Sequence, residues 1–148
     1  MILHIFNDQK KFSKGYFEML QDNKLLAKDT HLIHYGKKDD FFEKMGIKTV
    51  FIRDFFNPFS NFKMIGLLFK ADKIIVHSLA SPYLLFMLLF KSIVSKVYWV
   101  IWGKDLYFYH MLDKPKIHHK IYECLRKTVI KRIPNICSIF EEDYKLAC

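Results

Sequence analysis

Trp99-Val100-Ile101-Trp102-Gly103-Lys104-Asp105-Leu106-Tyr107-Phe108 is the stretch on which the reading of the fold turns. Its first four residues are uncharged and β-prone, the composition of a strand buried on both faces of a parallel sheet. Gly103 breaks the run, and Lys104 and Asp105 put opposite charges just beyond it. In open α/β sheets the carboxyl ends of the strands are where ligands bind.

Working outward, the same strand-then-polar arrangement repeats. Strands are predicted over Met1–Asn7, Thr30–Tyr35, Lys48–Arg53, Lys73–Ser78, Lys96–Trp102 and Asn135–Phe140. Helices are predicted between them. One covers Phe12–Asp22, with Phe12, Tyr16, Met19 and Leu20 as its apolar face. Asn57-Pro58 starts a second, running to about Lys70, and Ser81-Pro82 starts a third, running to about Ile93. Each pair combines a capping side chain with proline at the first helical position. A fourth is capped by Asp113 and runs to about Arg132. Strands alternating with helices define an α/β fold: a Rossmann-like parallel sheet with helices on both faces.

Ile74–Phe90 contains no charge over 17 residues, close to the length of a membrane span. His77, Ser78, Ser81 and Pro82 in its first half argue instead for a strand end followed by a helix cap.

Composition narrows the function classes. At 148 residues the chain fits one domain with one core, and 51% hydrophobic content excludes disorder. Cys124, Cys137 and Cys148 are odd in number and form no CxxC pair, as free thiols in a reducing cytoplasm do. No basic leader precedes an apolar run at the start. A net charge of +9 calls for an anionic partner: nucleic acid, an acidic membrane surface or a phosphorylated substrate. Paired Cys/His finger ligands and RNP-like runs are absent, so the sequence carries no nucleic-acid signature. Neither GxGxxG nor GxxxxGK[ST] occurs, which argues against a glycine-loop nucleotide site. His31 and His34 fall on opposite faces of a strand, and His118-His119 reads as a solvated face, so no metal set is expected.

The predicted strand ends share one edge, and two residues stand out there because each closes a strongly apolar strand. His77 and Asp105 are the candidate general bases. On the fourth predicted helix, Ile117, Ile121, Cys124, Leu125, Thr128 and Val129 form one face, with Lys116, Lys120, Lys127 and Lys131 on the other and Arg126 and Arg132 nearby. The basic face reads either as an ordinary solvated surface or as a membrane-contact surface. Phe55-Phe56-Asn57-Pro58-Phe59-Ser60-Asn61-Phe62 is too apolar to bury entirely and suggests a lipid- or partner-facing patch.

Trp99 to Tyr107 resembles the W-x-I-W-G-x-D-L-Y segment of the bacterial 4-alpha-L-fucosyltransferases, the TDP-N-acetylfucosamine:lipid II N-acetylfucosaminyltransferases of glycosyltransferase family 56. His77-Ser78 before a proline-opened, leucine-rich helix is similar to that family's histidine strand end, and Asn135–Phe140 leads into Glu141-Glu142-Asp143 as the family's strand leads into an acidic helix start. The resemblance covers about Ile74 to Tyr144; Val100 departs from it where family members carry histidine.

The resemblance implies the amino-terminal, acceptor-side half of a GT-B glycosyltransferase, with the donor-binding carboxyl-terminal domain absent from a chain that stops at Cys148. It further implies transfer of an N-acetylated amino-fucose-type sugar from a TDP-sugar to an undecaprenyl-pyrophosphate-linked saccharide. That chemistry belongs to surface-polysaccharide assembly, of the enterobacterial common antigen kind, at the cytoplasmic face of the inner membrane. His77 or Asp105 would be the base, and Ser78, Trp102, Gly103 and Lys104 would contact substrate, Trp102 by stacking on a sugar and Lys104 by meeting a phosphate. No metal or other cofactor is implied, because positive side chains and helix amino-termini stabilise the leaving diphosphate. The alternative is a non-enzymatic basic α/β domain that binds anionic membrane or nucleic acid.

Overall fold

The computed structural model describes residues 1–7, 10–52, 58–79, 81–101, 116–138, 141 and 145. Its strands are β1 (Ile2–Phe6), β2 (Thr30–Tyr35), β3 (Lys48–Ile52), β4 (Lys73–Val76), β5 (Val97–Ile101) and β6 (Asn135–Ser138). Its helices are α1 (Lys10–Asp22), α2 (Phe41–Lys44), α3 (Pro58–Lys70), α4 (Pro82–Met87), α5 (Lys91–Val94) and α6 (Ile117–Ile130). The six strands form a parallel sheet in the order β3-β2-β1-β4-β5-β6, a Rossmann-like architecture. Every predicted strand is present to within two residues at either end. Packing divides the chain into two compact units, 1–74 and 75–148.

In the first unit, β1 and β2 pair from Ile2–Thr30 to Phe6–His34, and β2 and β3 from His31–Lys48 to Tyr35–Ile52. Alternation then sets His4, Phe6, Leu32, His34 and Phe51 on one face. α1 and α2 cover that face, where Phe6, Phe17, Leu32, Phe42 and Ile47 make a buried cluster. α3 covers the opposite face, and the Tyr35 hydroxyl donates to Met64 Sδ at 3.0 Å. α2 ends at Gly46, whose φ of +76° is the left-handed conformation glycine adopts at low cost. That turn buries Ile47 and aims the chain into β3.

α1 differs from expectation in its packed face. Ser13 and Phe17 are buried, with Tyr16 and Leu20 beside them, while Phe12 and Met19 face outward. Tyr16 and Phe17 contact the His4 ring at 5.6 and 5.2 Å between centroids. Packing against a histidine-bearing strand, rather than apolar spacing alone, chose the face.

In the second unit, β5 and β6 pair from Tyr98–Asn135 to Ile101–Ser138. The helix expected from Ser81 to Ile93 is two short helices, broken where Phe90 adopts an extended backbone. Leu84, Leu85, Leu88, Ile93 and Val94 are all buried. At 3.6 residues per turn a straight helix would point Ile93 away from Leu84, so the break lets both reach the core. The uncharged run from Ile74 to Phe90 is therefore strand, connection and helix. Among the described residues no helix is long and apolar enough to cross a membrane.

Candidate functional site at the carboxyl end of β4

The chain leaves β4 at Val76 and enters the connection carrying His77 and Ser78. His77 is 3% exposed, Ser78 half-buried and Leu79 buried. Ser81 closes the connection: its hydroxyl accepts from the Leu84 N–H at 3.3 Å, and Pro82 follows at the first helical position. This is the cap-plus-proline start expected from the sequence. From α6, the Tyr122 hydroxyl donates to the Leu79 carbonyl at 2.6 Å. The His77–Ser78 connection is thus anchored by a strand on one side, a capped helix on the other and a phenol from α6.

His77 and Ser78 sit where the sequence put them, at the carboxyl end of an apolar strand. The His77 imidazole is almost wholly covered, which holds its orientation and limits direct access to it. Trp102, Gly103, Lys104 and Asp105 lie outside the described residues, as does the Asp113 cap. β5 itself is described through Ile101, with Trp99 fully buried as a core residue.

α6 requires a correction. Lys116, Lys120, Lys127 and Lys131 are exposed as expected, but of the apolar stripe proposed to oppose them Val129 alone is buried and Leu125 half-buried. Ile117 is 76% and Ile121 65% exposed, and Cys124 and Thr128 are exposed with them. The buried positions are Glu123, Arg126, Val129 and Ile130. Arg126 makes a two-pronged ion pair with Glu123, Nε to Oε2 at 2.7 Å and a second guanidinium nitrogen to Oε1 at 2.8 Å. Paired in this way, both charges keep hydrogen-bond partners out of water, and the helix packs through them. The lysines and the isoleucines consequently share the outer surface, the lysines along one flank of the stripe.

The helix begins at Ile117 after Lys116, whose N–H donates to His119 Nδ1 at 3.2 Å. The His119 ring nitrogen therefore caps the start of the helix from one side. Its pKa is lowered by burial first, then by His118 and Lys116 nearby. Arg126, expected beside the basic face, is instead buried against Glu123, and the sequence gives no sign of the Tyr122 anchor or the His119 cap. The one available signal was the opposite-charge pair at i, i+3 spacing, which ordinarily marks a solvated face.

In the first unit the buried histidines lie among aromatic rings. Burial lowers the His4 pKa from 6.5 to about 4, and its ring lies among Tyr16 and Phe17. His34 is fully buried against Phe42 and Phe51, while His31 lies on the other face near Met1 and Asp29. A shallow depression of about 270 Å³ is lined by Leu26, Lys28, Thr30, Met45 and Ile47. It opens at the amino-terminal ends of β2 and β3, the edge opposite to the one α/β folds use for ligands. Among the described residues no three His, Cys, Asp or Glu side chains are grouped to hold a metal ion. Cys124 and Cys137 are exposed free thiols.

No family model, curated protein or solved structure matches this chain.

Proposed function

We propose that this chain is the acceptor-side Rossmann-like domain of a glycosyltransferase that moves a sugar from a nucleotide-sugar to a lipid-linked saccharide. The observation that carries the reading is the anchored His77–Ser78 connection at the carboxyl end of β4 in a sheet of order 3-2-1-4-5-6. It is supported by the Trp99–Tyr107 segment that follows on β5, with its family 56 resemblance. In the reaction an acceptor hydroxyl attacks the anomeric carbon as the bond from that carbon to the nucleotide diphosphate breaks. The hydroxyl proton passes to a base, His77 or Asp105, and the diphosphate leaves with the bonding electrons. The burial of His77 favours Asp105 as the base and His77 as the residue that orients the acceptor. The lysine flank of α6 supports an anionic membrane surface as the place where the acceptor is met.

Equilibrium binding of a polyprenyl-pyrophosphate-linked saccharide in detergent micelles tests the reading. The expected result is saturable binding that His77→Ala weakens about tenfold by loosening the connection that presents Ser78 to the ligand. Binding of RNA or DNA with a steep salt dependence, and none of the saccharide, would overturn it in favour of a basic nucleic-acid domain. Reversal of Lys116, Lys120, Lys127 and Lys131 to Glu is expected to weaken low-salt sedimentation of the chain with anionic vesicles, since each such cation contributes about 1 kcal/mol at a membrane surface, and unchanged sedimentation would leave that face an ordinary solvated one.

A further inference from the structure

α3 carries a second apolar face that stays largely exposed. Its inward side is complete: Asn61, Met64 and Leu68 are buried, and Ala71 follows them. On the outward side Phe59 is 80%, Phe62 65% and Phe69 50% exposed. Phe59, Phe62, Gly66 and Phe69 recur at helical spacing and form one stripe. A Cβ at Gly66 would meet open space, so the stripe is uncovered at its middle. Lys63 and Lys70 lie exposed beside it. No Asp or Glu occurs from Phe55 to Ala71.

We propose that this face of α3 docks on an anionic phospholipid bilayer, with the three phenyl rings at the headgroup–acyl boundary and Lys63 and Lys70 among the phosphates. Exposed apolar residues scattered singly are ordinary, but three aromatic rings on one stripe of one helix mark a contact surface. A helix lying in a bilayer interface combines this kind of apolar stripe with flanking lysines. Charge decides between occupants. In a two-fold contact with a second copy, an acid-free helix would bring Lys63 and Lys70 against their own kind, and the carboxylate just beyond the helix, Asp72, is already paired with the Met1 amino group. An anionic lipid surface supplies the missing negative charge. The proposal stands apart from the sugar-transfer reading, because it uses no residue of the β4 connection or of α6.

Co-sedimentation of the full chain with vesicles of phosphatidylglycerol, and separately of phosphatidylcholine, tests it. The expected result is preferential binding to phosphatidylglycerol. Phe59→Ser, Phe62→Ser and Phe69→Ser together should weaken that binding by roughly a hundredfold, from the apolar area no longer buried. Lys63→Gln with Lys70→Gln should weaken it about twentyfold, and added salt should do the same to the parent. All five side chains are exposed, so the melting temperature should stay at the parent value, which separates lost docking from lost folding. Phe62→Trp should gain fluorescence that brominated phosphatidylglycerol quenches. The proposal is overturned if the triple serine variant keeps parental vesicle affinity or if Phe62→Trp is not quenched. It is equally overturned if the triple variant loses only self-association, or capture of a protein partner, with vesicle binding unchanged. Reversing the α6 lysines in the parent reports on that helix alone, so failure of one surface leaves the other measurable.

Discussion

α3 and α6 are outer helices of 13 and 14 residues that fill their inward faces in opposite ways. α3 packs through Met64 and Leu68 and leaves three phenylalanines outside; α6 packs partly through an ion pair and leaves two isoleucines outside. In both, apolar side chains are more numerous than the inward face accommodates, or are placed away from it. An apolar stripe therefore identifies a surface that prefers to leave water, but not the partner that covers it.

The largest expected effect separates the two packing modes. Arg126→Ala should lower unfolding free energy by about 3 kcal/mol, the low end for a broken buried pair, because it leaves the buried Glu123 carboxylate with only the exposed Lys127 ammonium at 3.7 Å. Leu68→Ala on α3 should cost about 2–5 kcal/mol through the cavity it opens. The double replacement Glu123→Leu with Arg126→Met should be near neutral, since it removes both charges together. Urea denaturation of the four proteins makes the comparison. An Arg126→Ala cost below about 1 kcal/mol would mean that α6 does not pack through its charged face.

His4 extends the contrast to a polar group buried among rings rather than in an ion pair. The folded state holds it neutral down to about pH 4, whereas the unfolded chain takes up the proton near 6.5. Between those values the unfolded state binds more protons, so acid favours unfolding. The stability it contributes is fully present above pH 6.5 and falls by roughly 3 kcal/mol as the pH drops to 4. Urea midpoints measured across that range should slope accordingly, and His4→Phe should flatten the slope. A slope unchanged by the substitution would place the acid sensitivity elsewhere.

The smallest effect is expected at the outward stripes. Ile117→Ser with Ile121→Ser should change stability by no more than about 0.5 kcal/mol, as exposed substitutions do. A larger loss would show that α6 buries the stripe in solution and would remove its contrast with α3.

Much of the fold was legible because its signals are local. β2 was bounded without error, since Thr30 opens and Gly36 closes a β-prone run. Ser81-Pro82 announced α4 because a hydroxyl cap and a fixed proline φ act within one turn. α2 went unread: four residues are too few to show a helical period. The break before Phe90 also went unread, because it answers to burial of Ile93 and Leu84 together and not to any breaker residue. For the site, the position of His77 and Ser78 followed from strand periodicity. Their anchoring by Tyr122 did not, because that hydrogen bond joins residues 43 positions apart.

The sequence by itself determined the alternation of strands and helices, the class of sheet, the free cysteines Cys124 and Cys137, and the basic character of the surface. Each depends on residue type and near-neighbour spacing. Only the tertiary structure decided which side of each helix faces inward, and it overruled apolar periodicity at α1 and α6. The physical reason is that burial is a property of pairs of surfaces. Glu123 and Arg126 enter the interior because they satisfy each other there, while Ile117, Ile121 and the α3 phenylalanines stay outside because the inward faces are already filled.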